Sequence, residues 1–230
     1  MNRQRLQQLF DTLFDRHGPQ GWWPADSDIE MSFGAILVQN TNWTNARLAI
    51  GQLRKESLLN QLALLECPQD RLETYIRSSG YFRQKAARLR MFCRWLVDHG
   101  GFDSLRGRST SDLRESLLGL SGIGPETADC ILLYTFERPV FIADGYARMI
   151  FNRLGLIDDS RAVAYEKIRR SVEKEVCMDA SAFNEFHALL VAHGKKVCST
   201  RPECQVCGLS DVCRFHNDKA GVVGSTERRN

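Results

Sequence analysis

Helical periodicity runs through nearly the whole of this sequence and leaves little room for a sheet. Leu6, Leu9, Phe10, Leu13 and Phe14 fall at i, i+3, i+4, i+7 and i+8, which gathers them on one helix face, and Gly18-Pro19 stops the pattern. The same reasoning predicts helices over about Asp28–Val38 and Trp43–Lys55, the latter with Ala46, Ala49, Ile50 and Leu53 on one face. Pro68 suits a helix start and opens a helix that ends at Gly80; Gln84–Asp98 forms another, closed by Gly100-Gly101. Asp112–Leu118, Pro125–Tyr134, Tyr146–Leu154, Arg161–Val176 and Ser181–His193 continue the series. No strand-like run exceeds V-F-I-A, just before Asp144. The predicted class is all-α, with no long linker and no internal repeat. The polar, Gly- and Ser-containing residues 217–230 are expected to be disordered.

Four cysteines near the C-terminus, Cys198, Cys204, Cys207 and Cys213, are spaced C-x5-C-x2-C-x5-C. Four thiolates so close in sequence can ligate one inorganic centre with little loop-closure cost. Disulfides fit poorly: 230 residues is far beyond the small secreted cystine scaffolds, and the first residues do not read as a secretory signal. Structural zinc usually takes two separated pairs or a Cys/His mix, whereas this run has one tight pair with single flanking cysteines. The spacing favours a [4Fe–4S] cluster, with zinc as the alternative. Cys93 and Cys130 lie in apolar helical patterns and read as small buried thiols.

Bulk numbers set limits. The chain is long enough for one large domain or two lobes. No apolar run approaches the ~20 residues of a membrane helix, so no membrane partner is expected. A net charge of +3 and a pI near 8.4 permit a polyanionic partner without demanding one.

Between two predicted helices sits L-S-G-I-G-P-E-T-A-D, residues 120–129. Gly122 and Gly124 permit backbone angles that side chains forbid, and Pro125 suits the first turn of the next helix. The expected product is a tight hairpin whose amides, at a helix N-terminus, can cradle a phosphate. A plain helix–helix corner is the alternative. Leu120, Ile123 and Ala128 would pin the hairpin to the core. Asp144 directly precedes another helix. There a carboxylate serves as an N-cap and is also kept ionised by the helix dipole and nearby amides.

Taken together, L-x-G-I-G-x-x-T-A at 120–128, A-D-G-Y at 143–146 and H-G-K-K-V-C at 193–198 resemble the endonuclease III family of helix-hairpin-helix DNA glycosylases over about residues 28–216. The resemblance implies two α-helical lobes with double-stranded DNA in the cleft. A six-helix lobe (28–138) would carry the hairpin at about 112–135. The N-terminal segment (1–27) would join a second lobe (139–216) holding catalytic Asp144 and the cluster loop. Two departures stand out. The family's first cysteine gap is commonly six residues and here is five. Bifunctional members place a Schiff-base lysine in the slot held here by Glu126, so strand nicking is expected to be absent or weak. Lys195 and Lys196 are the alternative lysines.

G-W-W-P at 21–24 and Q-N-T-N-W at 39–43 resemble the 3-methyladenine DNA glycosylase branch. By that resemblance Trp22, Trp23, Pro24 and Trp43 line the base pocket; core or interlobe packing is the other reading. Purines alkylated at N3 or N7 are cationic, and Trp faces attract cations by about 0.5–2 kcal/mol. The resemblance makes Gln39 the residue that fills the gap left by an extruded base, with helix C-terminal capping as the alternative. It makes Tyr81 and Phe82 the duplex wedge, the alternative being packing against Lys85 and Leu89. Lys85, Arg83 and Arg88 meet phosphates or form a solvated face, and Lys195, with Lys196 and Arg201, reaches the backbone from the cluster loop. His193 is expected to close its helix beside Gly194. The implied protein is a monomeric, cytoplasmic repair enzyme, nucleoid-associated in a bacterium, excising an alkylated purine to leave an abasic site. The alternatives are an oxidised-pyrimidine or mismatch glycosylase and a non-catalytic Fe–S damage-binding protein.

Overall fold

The computed structural model describes residues 1–23, 25–158 and 164–218. Among them every regular element is helical, and no helix is long and apolar enough to cross a membrane. The chain divides into two compact units: Trp23–Arg138, and Met1–Trp22 together with the chain from Pro139 onward. The first boundary thus falls after Trp22, where the sequence reading put it after residue 27.

The Trp23–Arg138 unit is built around α2 (Asp28–Leu37), capped by the Ser27 hydroxyl, which accepts from the Glu30 amide. Every residue from Ile29 to Leu37 is buried, as expected of a helix apolar on all sides. Against it lie α3 (Trp43–Lys55), α6 (Phe82–Asp98) and α9 (Pro125–Tyr134). Between α3 and α6 come α4 (Gln61–Glu66), α5 (Gln69–Tyr75) and a 3-10 turn at Arg77–Ser79. After α6 come α7 (Gly101–Arg106) and α8 (Thr110–Leu118), and α8 packs on α9. The sequence reading missed α4 and α7. Each has six residues, too few to display a helical repeat, and α7 begins at one of the two glycines read as a stop.

In the other unit α1 (Arg3–His17) and α10 (Gly145–Arg153) pack on α12 (Ala180–Lys196), and α11 (Tyr165–Glu175) touches α1. Phe141, fully buried, anchors this core: its ring lies 5.8 Å from Phe151 and 5.7 Å from Phe186. The strand-like V-F-I-A run is a buried irregular connector, all four residues at most 3% exposed. The predicted start of α11 at Arg161 lies outside the described residues.

Two expectations are corrected here. α12 does not close at His193 but runs on to Lys196. Gly194 is tolerated in mid-helix because α10 comes so near that a Cβ there would overlap the Tyr146 ring. Residues 214–218 are helical, Asn217 among them, so disorder does not begin at 217. The other residues of that predicted tail, 219–230, lie outside the described residues.

Candidate functional site

The hairpin joins α8 to α9. Gly122 has φ +84°, a left-handed value that favours glycine. The Ile123 amide donates to the Leu120 carbonyl at 3.0 Å and closes the turn. Ile123 (4% exposed) and Ala128 are buried and anchor it, whereas Leu120 is half-buried and Gly122 and Gly124 are exposed. Gly124 is the N-cap of α9 and Pro125 its first residue, so no side chain caps this helix end. Gly124 and Glu126 are exposed at this positive end of the helix, a suitable place for an anion. Arg114 on α8 bonds Asp129 on α9 through two nitrogens, Nε–Oδ1 2.7 Å and Nη2–Oδ2 3.1 Å, and ties the two helices together. Glu126 is exposed.

Gln39, in the turn after α2, reaches this hairpin. Its Nε2 donates to the Gly122 carbonyl at 3.1 Å and to the Thr127 hydroxyl at 2.8 Å, while its Oε1 accepts from Arg88 at 2.5 Å. Arg88 lies so close that a Cβ on Gly122 would overlap its Nε. Arg88 is therefore half-buried against the hairpin and not on a solvated face. Lys85 departs further from expectation. It is fully buried, and its ammonium donates to the Leu37 carbonyl at 2.8 Å and the Ser79 carbonyl at 2.6 Å. Burial, with the Arg88 guanidinium adding repulsion, pushes it down from 10.5 to about 8. Lys85 thus meets neither solvent nor a bound phosphate. It ties the end of α2 to the turn before Tyr81 because two helix-end carbonyls converge on it. Tyr81 itself sits at φ +45° and is 63% exposed. Phe82 is half-buried, its ring 5.2 Å from the Arg77 guanidinium carbon.

Trp23 and Trp43 come together edge to face, ring centroids 4.6 Å apart, with Tyr134 5.2 Å from Trp23. Gly34 gives Trp23 its room: a Cβ there would sit 3.2 Å from the indole. Trp22 belongs to the other unit, where Lys195 Nζ lies 5.7 Å from its ring centroid. Pro24 lies outside the described residues.

Asp144 caps α10. Its Oδ1 accepts from the Ala147 amide at 2.8 Å, and its side chain keeps 13% exposure. A Cβ on neighbouring Gly145 would meet only open space. The second carboxylate oxygen lies 3.6 Å from Nε2 of His187 on α12. His187 was not found from sequence. The only signal was an imidazole inside the apolar run F-H-A-L-L.

Cys198, Cys204, Cys207 and Cys213 all line one small pocket. None is in a disulfide. Arg153 Nη1 lies 3.1 Å from Cys198 Sγ and bonds the Cys198 and Ser199 carbonyls, and His193 Nε2 is 3.6 Å from Cys207 Sγ. Burial raises the Cys198 thiol, the Arg153 hydrogen bond opposing it, and burial raises Cys207 as well. Among the described residues no three His, Cys, Asp or Glu side chains are arranged around a single-ion position. Four thiols on one cavity, with cationic or N–H donors at two sulfurs, are a donor set that suits an iron–sulfur cluster. Buried His193 is held at about 4, pushed down first by burial and then by His17, whose Nε2 is 3.1 Å from its Nδ1. It is therefore neutral near pH 7.

The chain has relatives of known family and fold. Residues 33–176 match the family model described as HhH-GPD superfamily base excision DNA repair protein. A candidate DNA repair glycosylase of Methanocaldococcus jannaschii is 36% identical over 211 residues, covering 90% of this chain and 95% of its own. The crystal structure of the 3-methyladenine DNA glycosylase of H. pylori, bound to 1,N6-ethenoadenine, superposes with a TM-score of 0.72 at 25% identity, covering 85% of this chain and 98% of that one. An endonuclease III–DNA complex superposes at 0.80 with 20% identity over 96% and 99% of the two chains, a likeness of fold. With more than half its length matched to the family model, the chain belongs to the HhH-GPD superfamily of base excision DNA repair proteins.

Proposed function

We propose that this protein is a monofunctional DNA glycosylase that binds duplex DNA as a monomer, removes a damaged base and leaves an abasic site. Its first substrates are purines alkylated to a cationic form, of the 3-methyladenine type. The observation that carries this reading is Asp144: a carboxylate oriented by a helix-end amide, partly open to solvent, in a chain of this family. Its charge stabilises the cationic sugar that forms as the C1′–N bond breaks. At ~4 Å and an effective dielectric of ~20 that is about 4 kcal/mol, or roughly a thousandfold in rate. The same carboxylate orients the attacking water. A cationic purine leaves without a general acid.

The rest of the chain supports binding and extrusion of the nucleotide. The two units are the two lobes of the glycosylase fold. The hairpin from Leu120 to Gly124 grips a phosphate at its exposed glycines, Gly122 and Gly124, with Leu120 and Ile123 holding the turn, and Lys195 adds a cation on the cluster side. Exposed Tyr81, next to half-buried Phe82, wedges the stack, and Gln39 braces the hairpin beside it. The extruded base stacks against the Trp23–Trp43 pair; flipping costs a few kcal/mol, less for a weakly paired lesion. Glu126, in place of a nucleophilic lysine, leaves the enzyme without a Schiff base, so no strand is nicked. Cys198, Cys204, Cys207 and Cys213 hold a [4Fe–4S] cluster, which supplies a structural cross-link for the loop after α12; yellow-brown purified protein marks the cluster and colourless protein marks zinc.

The test is a panel of duplexes, each with one lesion, incubated with wild type and Asp144→Asn. Release of an alkylated purine by wild type, with strand cleavage only after alkali and a loss of about a thousandfold in the variant, is expected. Release of thymine glycol or mismatched thymine instead moves the substrate class. Base release by Asp144→Asn near the wild-type rate ends the mechanism. Tight binding to abasic duplex with no base released makes the protein a damage binder.

A further inference from the structure

α12 carries an imidazole where an apolar side chain would pack more cheaply. His187 is 5% exposed, between Phe186 and Ala188, both fully buried, and its helix is pressed on α10. Burying a ring with two nitrogens costs free energy unless they find partners. Nε2 faces Asp144 Oδ2 at 3.6 Å, while Oδ1 of the same carboxylate takes the Ala147 amide at 2.8 Å. The carboxylate is thus approached from two sides, by a fixed backbone donor and by a side chain on another helix.

We propose that His187 is a positioning residue for Asp144: as the pair closes from 3.6 Å to hydrogen-bond distance on bound DNA, the imidazole Nε2–H donates to Oδ2 and fixes the carboxylate plane over the reacting sugar. This rests on the reading of Asp144 as the catalytic carboxylate and extends it. A capping aspartate held through one oxygen alone can rotate about its Cβ–Cγ bond. Held through both, it presents one orientation. A misplacement of about 1 Å in a reacting group can cost about a hundredfold in rate.

Two measurements test the proposal. The first needs no activity: in nitrogen-15 spectra of the histidine rings, the Nε2 resonance of His187 shifts when Asp144 becomes Asn. An unchanged resonance overturns the pairing. The second is single-turnover base release with saturating protein, alongside duplex affinity by anisotropy. His187→Phe is expected to slow release by about 10- to 100-fold while duplex affinity stays within about twofold. His187→Gln, whose amide nitrogen reaches near the Nε2 position, restores most of the rate. In an Asp144→Asn background His187→Phe costs nothing further. Equal losses in the Phe and Gln variants, or a full loss in the Asp144→Asn background, make His187 a packing residue and overturn the role. A wild-type protein that releases no base retires the glycosylase reading, and the ring resonance still decides whether His187 engages Asp144.

Discussion

Lys85→Met should behave differently at pH 7 and at pH 9.5. Lys85 buries an ammonium whose value burial pushes from 10.5 to about 8. At 1.36 kcal/mol per pH unit, the difference between 10.5 and about 8 corresponds to about 3 kcal/mol against the charged form at neutral pH. The same side chain supplies hydrogen bonds to the Leu37 and Ser79 carbonyls. Methionine fills similar volume, removes the charge and leaves two carbonyls without their donor, at about 1.5 kcal/mol each. The two effects nearly cancel at pH 7, and the variant should lie within about 1 kcal/mol of wild type. Between pH 8 and 10.5 the unfolded chain holds the lysine proton more tightly than the folded one, so the folded wild type gains stability as pH rises. By pH 9.5 the gain is about 2 kcal/mol, and the neutral amine still has two N–H donors for its two carbonyls. The Met variant gains nothing and should then be about 2 kcal/mol the less stable. Urea unfolding followed by tryptophan fluorescence reads this, since Trp23, Trp43 and Trp95 share the unit with Lys85. A stability gap of the same size at both pH values would refute the reasoning.

Two further perturbations test the scaffold. Gly194→Ala places a methyl group against the Tyr146 ring and should cost about 1–3 kcal/mol, seen as a lower midpoint in thermal unfolding; an unchanged midpoint would show that α10 and α12 have slack. Gln39→Ala removes the donor to the Gly122 carbonyl and the Thr127 hydroxyl. Hydrogen exchange at the Ile123 amide should quicken about tenfold, as expected for the loss of roughly 1.4 kcal/mol, and an unaltered rate would mean that the hairpin holds without this strap.

Much of the chain is settled by near neighbours. Helix class and most helix positions follow from residues three and four apart and from caps such as Ser27, Asn42 and Asp144, whose side chains bond amides three residues on. The hairpin follows from two glycines and a proline, because φ values are settled within a few residues. The cysteine cluster was visible for the same reason, its four members being close in the chain. Other features exist only once distant segments pack. Lys85 reads as a surface lysine until Leu37, 48 residues earlier, turns its carbonyl inward. Gln39 acquires its hold on the hairpin from Gly122, 83 residues on, and Asp144 meets His187 only when α12 packs on α10. No local pattern encodes such meetings, since the free energy that fixes them comes from burying whole helix faces and not from the polar groups those faces bring together.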